Sequence, residues 1–161
     1  MGVSGCGKTS VARALAQRTG GRFVDADYYH SLENKGKMAA GIPLTDEDRA
    51  EWLGSLNNEL KAAELGEQPF FLACSALKEA YRAKLREGIN HLEFIYLRGD
   101  KNIIHERLLN RKDHFMSASL LNSQFAILEE PNEAFIVDIT KPIEKIIESI
   151  MQVYLTFKSI I

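Results

Sequence analysis

Residues 2–9 read Gly2-Val3-Ser4-Gly5-Cys6-Gly7-Lys8-Thr9, the G-x-x-x-x-G-K-[ST] spacing of a loop that grips phosphate. The glycines let the backbone fold tightly and turn its N–H groups toward phosphate oxygens. A helix reads onward from Lys8, and its N-terminus adds partial positive charge. Lys8 offers a point charge for the β- and γ-phosphates, and Thr9 a hydroxyl for Mg²⁺. The pattern points to nucleotide phosphate binding by Gly2, Val3, Ser4, Gly5, Cys6, Gly7, Lys8 and Thr9 together. A glycine-rich turn capping a helix by chance is the bland alternative.

A second cluster, Asp25-Ala26-Asp27-Tyr28-Tyr29-His30, follows a short apolar run. Transfer of a phosphoryl group to an alcohol needs cations for the moving charge and a group that positions or deprotonates the hydroxyl. In an extended stretch Asp25 and Asp27 point the same way, because strand side chains alternate with period two. Asp25 then suits Mg²⁺ and its waters, and Asp27 the hydroxyl. A solvated acidic turn is the competing reading.

Positioning these groups falls to short β-rich runs alternating with helical patterns, which predicts an α/β fold with a parallel sheet. Helices are expected over 8–19, stopped by Gly20-Gly21, and over 46–64, where Trp52, Leu56, Leu60 and Ala63 share a face. A third carries Leu77, Tyr81 and Leu85. Others are expected over about 101–110, after Ser117, and from Pro142 to about Lys158. Strands are expected at 22–25, 69–75, 93–97 and 135–139, the second buried on both faces. A fifth is implied before Gly2, in mid-sheet. Its five or so apolar side chains would contribute roughly 1.5–3 kcal/mol each. The expectation is that the chain starts upstream and that Met1 is an internal methionine. In such a sheet ligands gather at the carboxyl ends of strands. The phosphate loop, the DAD segment and the Cys74-Ser75-Ala76-Leu77-Lys78 segment all fall at that edge.

Bulk properties narrow the field. The chain has 161 residues, 45% hydrophobic and 26% charged, which suits one domain over 1–161. A net charge of −2 offers no basic field for nucleic acid or an anionic membrane. There is no long apolar run and no signal peptide. Cys6 and Cys74 make no disulfide framework, and no zinc spacing surrounds them, so a reducing cytoplasm is the expected setting.

The runs DADYYHSLENKGKMAAGIPLTDEDRAEWL, CSALKEAYRAKLREG, FIYLRGD and RKDHFMSASLLNSQFAILEEP resemble the thermoresistant-type gluconokinase family over nearly the whole chain. The resemblance implies a P-loop kinase fold like that of nucleoside monophosphate kinases and shikimate kinase, with helices on both faces of the sheet. It implies transfer of the γ-phosphate of ATP, with Mg²⁺, to the 6-hydroxyl of D-gluconate, and a homodimer. Asp27 becomes the group orienting the sugar hydroxyl. His30, Asn34 and Lys37 match the substrate-side H-x-x-x-N-x-x-K-M pattern, within a helical segment at about 27–66. Arg49 lies in D-x-D-R-x-x-W-L, and Lys78 and Arg82 in S-A-L-K-x-x-Y-R. A polyhydroxylated carboxylate suits an arginine fork with several hydrogen-bonding groups. The rival readings are a solvated helix face for Arg82 and a packed structural histidine for His30; Trp52 reads as core.

The resemblance also implies a lid at about 107–118, whose closure expels water and brings positive charge to the transferring group. Arg111 is the preferred cation, with Arg107 one turn behind and His114 beyond. An ordinary basic helix end competes for Arg107. Gln124 belongs to the same region, with no role that the sequence assigns. Ser31 and Ala50-Glu51 stand where the family carries prolines, and the stretch after Pro131 is a few residues shorter. The alternatives are another small-molecule kinase of this fold, for shikimate or a different sugar acid, and a nucleotide-binding protein without catalysis.

Overall fold

The computed structural model describes residues 1–110 and 118–158. Helix α1 (Lys8–Thr19) leaves the glycine loop and ends at Gly20, whose φ of 67° closes it as expected. Strand β1 (Arg22–Asp25) follows, then a 3-10 turn (Ala26–Tyr29) and helix α2 (Leu32–Ala39). Next come α3 (Asp46–Glu64), β2 (Phe70–Ala73), α4 (Glu79–Arg86) and β3 (Ile95–Arg98). The chain continues through α5 (Lys101–Leu109), α6 (Ala118–Ile127), β4 (Phe135–Asp138) and α7 (Ile143–Lys158). The helices and the four strands expected within the sequence are present, within a few residues at their ends; no strand precedes Gly2 among the described residues.

Two local features depart from expectation. The stretch after Asp25 is not extended: the Asp25 side chain accepts the Asp27 N–H at 3.2 Å and caps the 3-10 turn. The alternation argument that aligned Asp25 with Asp27 therefore does not hold, because the strand ends at the first of them. Helix α2 has no counterpart in the sequence pattern, which is weakly periodic and contains Gly36. Its start is set locally by Ser31, whose hydroxyl accepts the Asn34 N–H at 3.1 Å. The residue standing in place of a proline is thus an N-cap.

The strands form two parallel pairs, β1 with β2 and β3 with β4, rather than one continuous sheet. Arg22 pairs with Phe70 and Asp25 with Ala73; Ile95 pairs with Phe135 and Arg98 with Asp138. Between β2 and β3 lies the lane expected for a strand before Gly2. There the Leu97 N–H donates to the Met1 carbonyl at 3.0 Å, and the Gly2 N–H to the Ser75 carbonyl at 3.1 Å. The Met1 amino group also donates to the Ile95 carbonyl, so Met1 and Gly2 link β3 to the turn after β2. A cavity of about 120 Å³ lined by Leu15, Leu72, Cys74, Ile95 and Leu97 occupies the same lane.

Two apolar layers cover the strands. On one side Val11 and Leu15 of α1, Ile104 of α5, Leu121 of α6 and Ile146, Ile147 and Ile150 of α7 pack with Leu97 and Val137. On the other, Trp52, Leu56 and Leu60 of α3 and Tyr81 and Leu85 of α4 pack with Ala26, Cys74 and Phe94. Phe71 faces the first layer while Phe70 and Leu72 face the second, the alternation of a strand covered on both sides. The N-terminus of α3 is fixed by a capping box between Thr45 and Asp48. Among the described residues no helix is long and apolar enough to cross a membrane. Cys6 and Cys74 are free, buried thiols, and burial pushes that of Cys74 up to about 11.

Candidate active site

The phosphate loop hangs between Met1 and α1, with Gly2, Val3 and Ser4 buried. Gly7 is the N-cap, at a left-handed φ of 100° and with no side-chain cap, so the first N–H groups of α1 are left for a ligand. Lys8 Nζ donates to the Val3 carbonyl at 2.9 Å, folded back along its own loop. The Thr9 hydroxyl donates to Asp25 Oδ2 at 2.9 Å, across from the end of β1.

That pair passes a chemical test for Mg²⁺. The ion prefers one or two hard protein oxygens and takes the rest from phosphates and water. Thr9 and Asp25 supply such oxygens beside the loop, and no larger metal-binding cluster of His, Cys, Asp or Glu exists among the described residues. Asp27, one residue into the 3-10 turn, is exposed at the same strand end. Trp52 fixes this turn from below, its indole N–H donating to the Ala26 carbonyl at 2.8 Å.

On the substrate side, His30 is buried and stacked on Trp52, with ring centroids 4.3 Å apart and planes 10° from parallel. Burial first, then the charges of Arg49 and Lys35, push its pKa down to about 4, so the imidazole is neutral at pH 7. Its Nδ1 is buried and has no hydrogen-bond partner among the described residues. Arg49 Nε is in the same condition. Two buried polar atoms without partners, on residues close enough for the Arg49 charge to act on the imidazole, suit a ligand rich in hydroxyls and charge.

The other expected substrate residues are engaged with the protein. Asn34 is buried and donates through Nδ2 to the Asp48 carbonyl at 2.6 Å. Lys37 Nζ lies 2.7 Å from Asp48 Oδ1 and 3.0 Å from Glu33 Oε1. These contacts tie α2 to the start of α3. Lys78 Nζ meets both oxygens of Asp46, at 2.8 and 2.7 Å, and the Tyr81 hydroxyl donates to the same carboxylate. Arg82 is 3% exposed; Nη1 donates to the carbonyls of Ala76 and Leu77, at 3.0 and 3.1 Å, and its other nitrogens bind Glu79. Ala76 sits at φ 45°, a strained value for a residue with a Cβ. Arg82 thus braces the turn that presents Lys78.

Of the lid, Arg107 Nη2 donates to the Ile139 carbonyl at 2.8 Å, at the end of β4. Arg111 and His114 lie outside the described residues. Gln124 on α6 reaches the phosphate loop, its Oε1 accepting the Ser4 N–H at 2.6 Å. Glu129 accepts the Glu79 N–H at 2.5 Å and so caps α4. Asp46, Tyr81, Gln124 and Glu129 lie inside the quoted runs, but spacing assigns none of them these roles, because their partners stand 32 to 120 positions away along the chain. The Thr45-x-x-Asp48 box was the one readable signal nearby.

A family model described as Shikimate kinase matches residues 4–154. The chain is similar to the thermoresistant gluconokinase of Escherichia coli (strain K12), 43% identical over 157 residues that cover 95% of this chain and 90% of that protein. Among solved structures it is similar to an unliganded sugar kinase from Janibacter sp. HTCC2649, at 47% identity and a TM-score of 0.87, covering 94% of this chain and 90% of that one. It is likewise similar to a gluconokinase from Sinorhizobium meliloti 1021, at 39% identity and a TM-score of 0.84, covering 99% and 94%.

Proposed function

We propose that this chain, which belongs to the shikimate kinase family of P-loop kinases and within it to the gluconokinases, transfers the γ-phosphoryl group of ATP to the 6-hydroxyl of D-gluconate. The observation that carries the reading is the Thr9–Asp25 hydrogen bond. It joins the phosphate loop to the strand end that bears Asp27, so that nucleotide and hydroxyl positions meet at one sheet edge.

The loop amides and the N-terminus of α1 hold the phosphates. Lys8 exchanges the Val3 carbonyl for a phosphate oxygen and follows the charge onto the transferring group. Thr9 and Asp25 would hold Mg²⁺, directly or through water. The ion, when bound, neutralises charge on the β- and γ-phosphates. Asp27 orients the 6-hydroxyl and accepts its proton as the new P–O bond forms and the bond from the γ-phosphorus to the departing ADP oxygen breaks. Neutral His30 and Arg49 offer open donor and acceptor positions to the sugar acid, and Lys78 supplies a further cation. Asn34, Lys37 and Arg82 support those groups through Asp48 and the Ala76 turn. Arg111 is the proposed lid cation over the phosphates, with Arg107 and His114 flanking it, and 27–66 and 107–118 are the proposed substrate-side and lid segments of one domain. A homodimer is the proposed assembly.

A coupled ADP-release assay with MgATP and D-gluconate, shikimate, nucleoside monophosphates or other sugar acids tests the reading. Turnover is expected with D-gluconate above all others. A folded chain that turns over a different acid instead, or binds ATP and transfers to none of them, would sink it.

A further inference from the structure

The cationic corner of the substrate side already holds a carboxylate, and that carboxylate belongs to the chain itself. Lys78 Nζ lies within 2.8 Å of both oxygens of Asp46, and the Tyr81 hydroxyl donates to one of them. Lys78 Nζ and the Arg49 guanidinium stand 5.5 and 5.7 Å from the centroid of the Tyr81 ring, so two cations share one small space. Asp46 satisfies Lys78 and Tyr81 but leaves Arg49 Nε buried and without a partner among the described residues. Nor is Asp46 locked in place: its side chain is 59% exposed, at the first position of α3.

We propose that Asp46 is an internal occupant of the position for the substrate's carboxylate, displaced when a sugar acid binds. The idea rests on the sugar-acid reading above. Exchange is nearly balanced in charge, since one carboxylate replaces another on Lys78. It is favourable for an acid that also reaches Arg49 and the open nitrogen of His30, because groups now unsatisfied gain partners. Released Asp46 returns to water while staying at the N-terminus of α3, where the helix dipole still favours it. A simple anion, lacking hydroxyls to engage His30, gains less from the exchange. Asp46 therefore competes with any carboxylate for Lys78, and only an acid that also engages Arg49 and His30 recovers more than it displaces. Its hydrogen bonds with Lys78 hold the Asp46 carboxyl below the usual range and raise Lys78, so both stay charged at neutral pH.

The single tryptophan, Trp52, stacked on His30, reports binding by fluorescence. Wild type and Asp46→Asn are titrated with D-gluconate, with the uncharged D-gluconamide, and with acetate. An exposed ion pair is worth at most about 1 kcal/mol, so removing the competitor tightens D-gluconate and acetate by up to roughly fivefold. D-gluconamide affinity is expected to stay the same. Unchanged or weaker D-gluconate binding by the variant, or equal tightening of the amide, overturns the proposal. If wild type gives no response to D-gluconate, the sugar-acid reading fails, and the acetate comparison alone then decides whether Asp46 competes for Lys78. Should Asp46→Asn not fold, Asp46→Ser keeps a helix-starting residue and reads the same difference.

Discussion

Arg82→Met separates a structural guanidinium from a substrate-gripping one. The side chain is buried, and its removal takes the donor from the Ala76 carbonyl and one of two donors from the Leu77 carbonyl, which also accepts the Glu129 N–H at 2.9 Å. A buried carbonyl left unpaired costs about 1–3 kcal/mol. The Glu79 pair is 63% exposed on the acid side, so its loss adds little. Methionine keeps much of the apolar stem, which limits the cavity. The expected destabilisation is about 3 kcal/mol, or a fall in Tm of roughly 6–12 °C for a chain of this size. Circular-dichroism melts and urea unfolding measure it. Kinetics taken well below the transition should show KM for D-gluconate within a few-fold of wild type, since Lys78, carried by the same turn, is the group proposed to face the substrate. An unchanged Tm with a KM raised tenfold or more would refute this reasoning and place the guanidinium on the substrate.

Asp27→Asn should lower kcat by about 10²–10⁴ with little change in either KM, the range of a lost general base; steady-state kinetics check it, and wild-type turnover removes Asp27 from the mechanism. His30 has a folded pKa of about 4 against 6.5 in the open chain, so the unfolded state binds more protons between those values. Its contribution is therefore intact above pH 6.5 and lost as pH falls toward 4, by roughly 1–3 kcal/mol. Urea midpoints across that window should fall less steeply in His30→Asn than in wild type, and identical slopes would count against a buried neutral imidazole. Gln124→Ala should raise KM for ATP by about fivefold, the worth of one hydrogen bond on the phosphate loop, and leave KM for D-gluconate alone. An unaltered KM for ATP would show that Ser4 needs no such support.

What the sequence determined by itself is the part written in contiguous residues. The phosphate loop, α1 with its glycine stop, the amphipathic run of α3 and the doubly covered β2 all depend on local backbone preference and on periodicity over one element. The same preferences put the loop, the DAD segment and the Lys78 segment at one sheet edge. Where a local rule misled, the cause was also local: Asp25 caps a 3-10 turn, so the strand stops two residues short of Asp27 and cannot align it. Tertiary structure alone decided which polar groups are spent and which are open. Asp46 reaches Lys78 across 32 positions, and Ser4 reaches Gln124 across 120. The same arginine letter became a buried brace at Arg82 and a half-satisfied donor at Arg49. A side chain's partner is set by how helices and strands pack, and packing is a property of the whole chain rather than of any stretch of it.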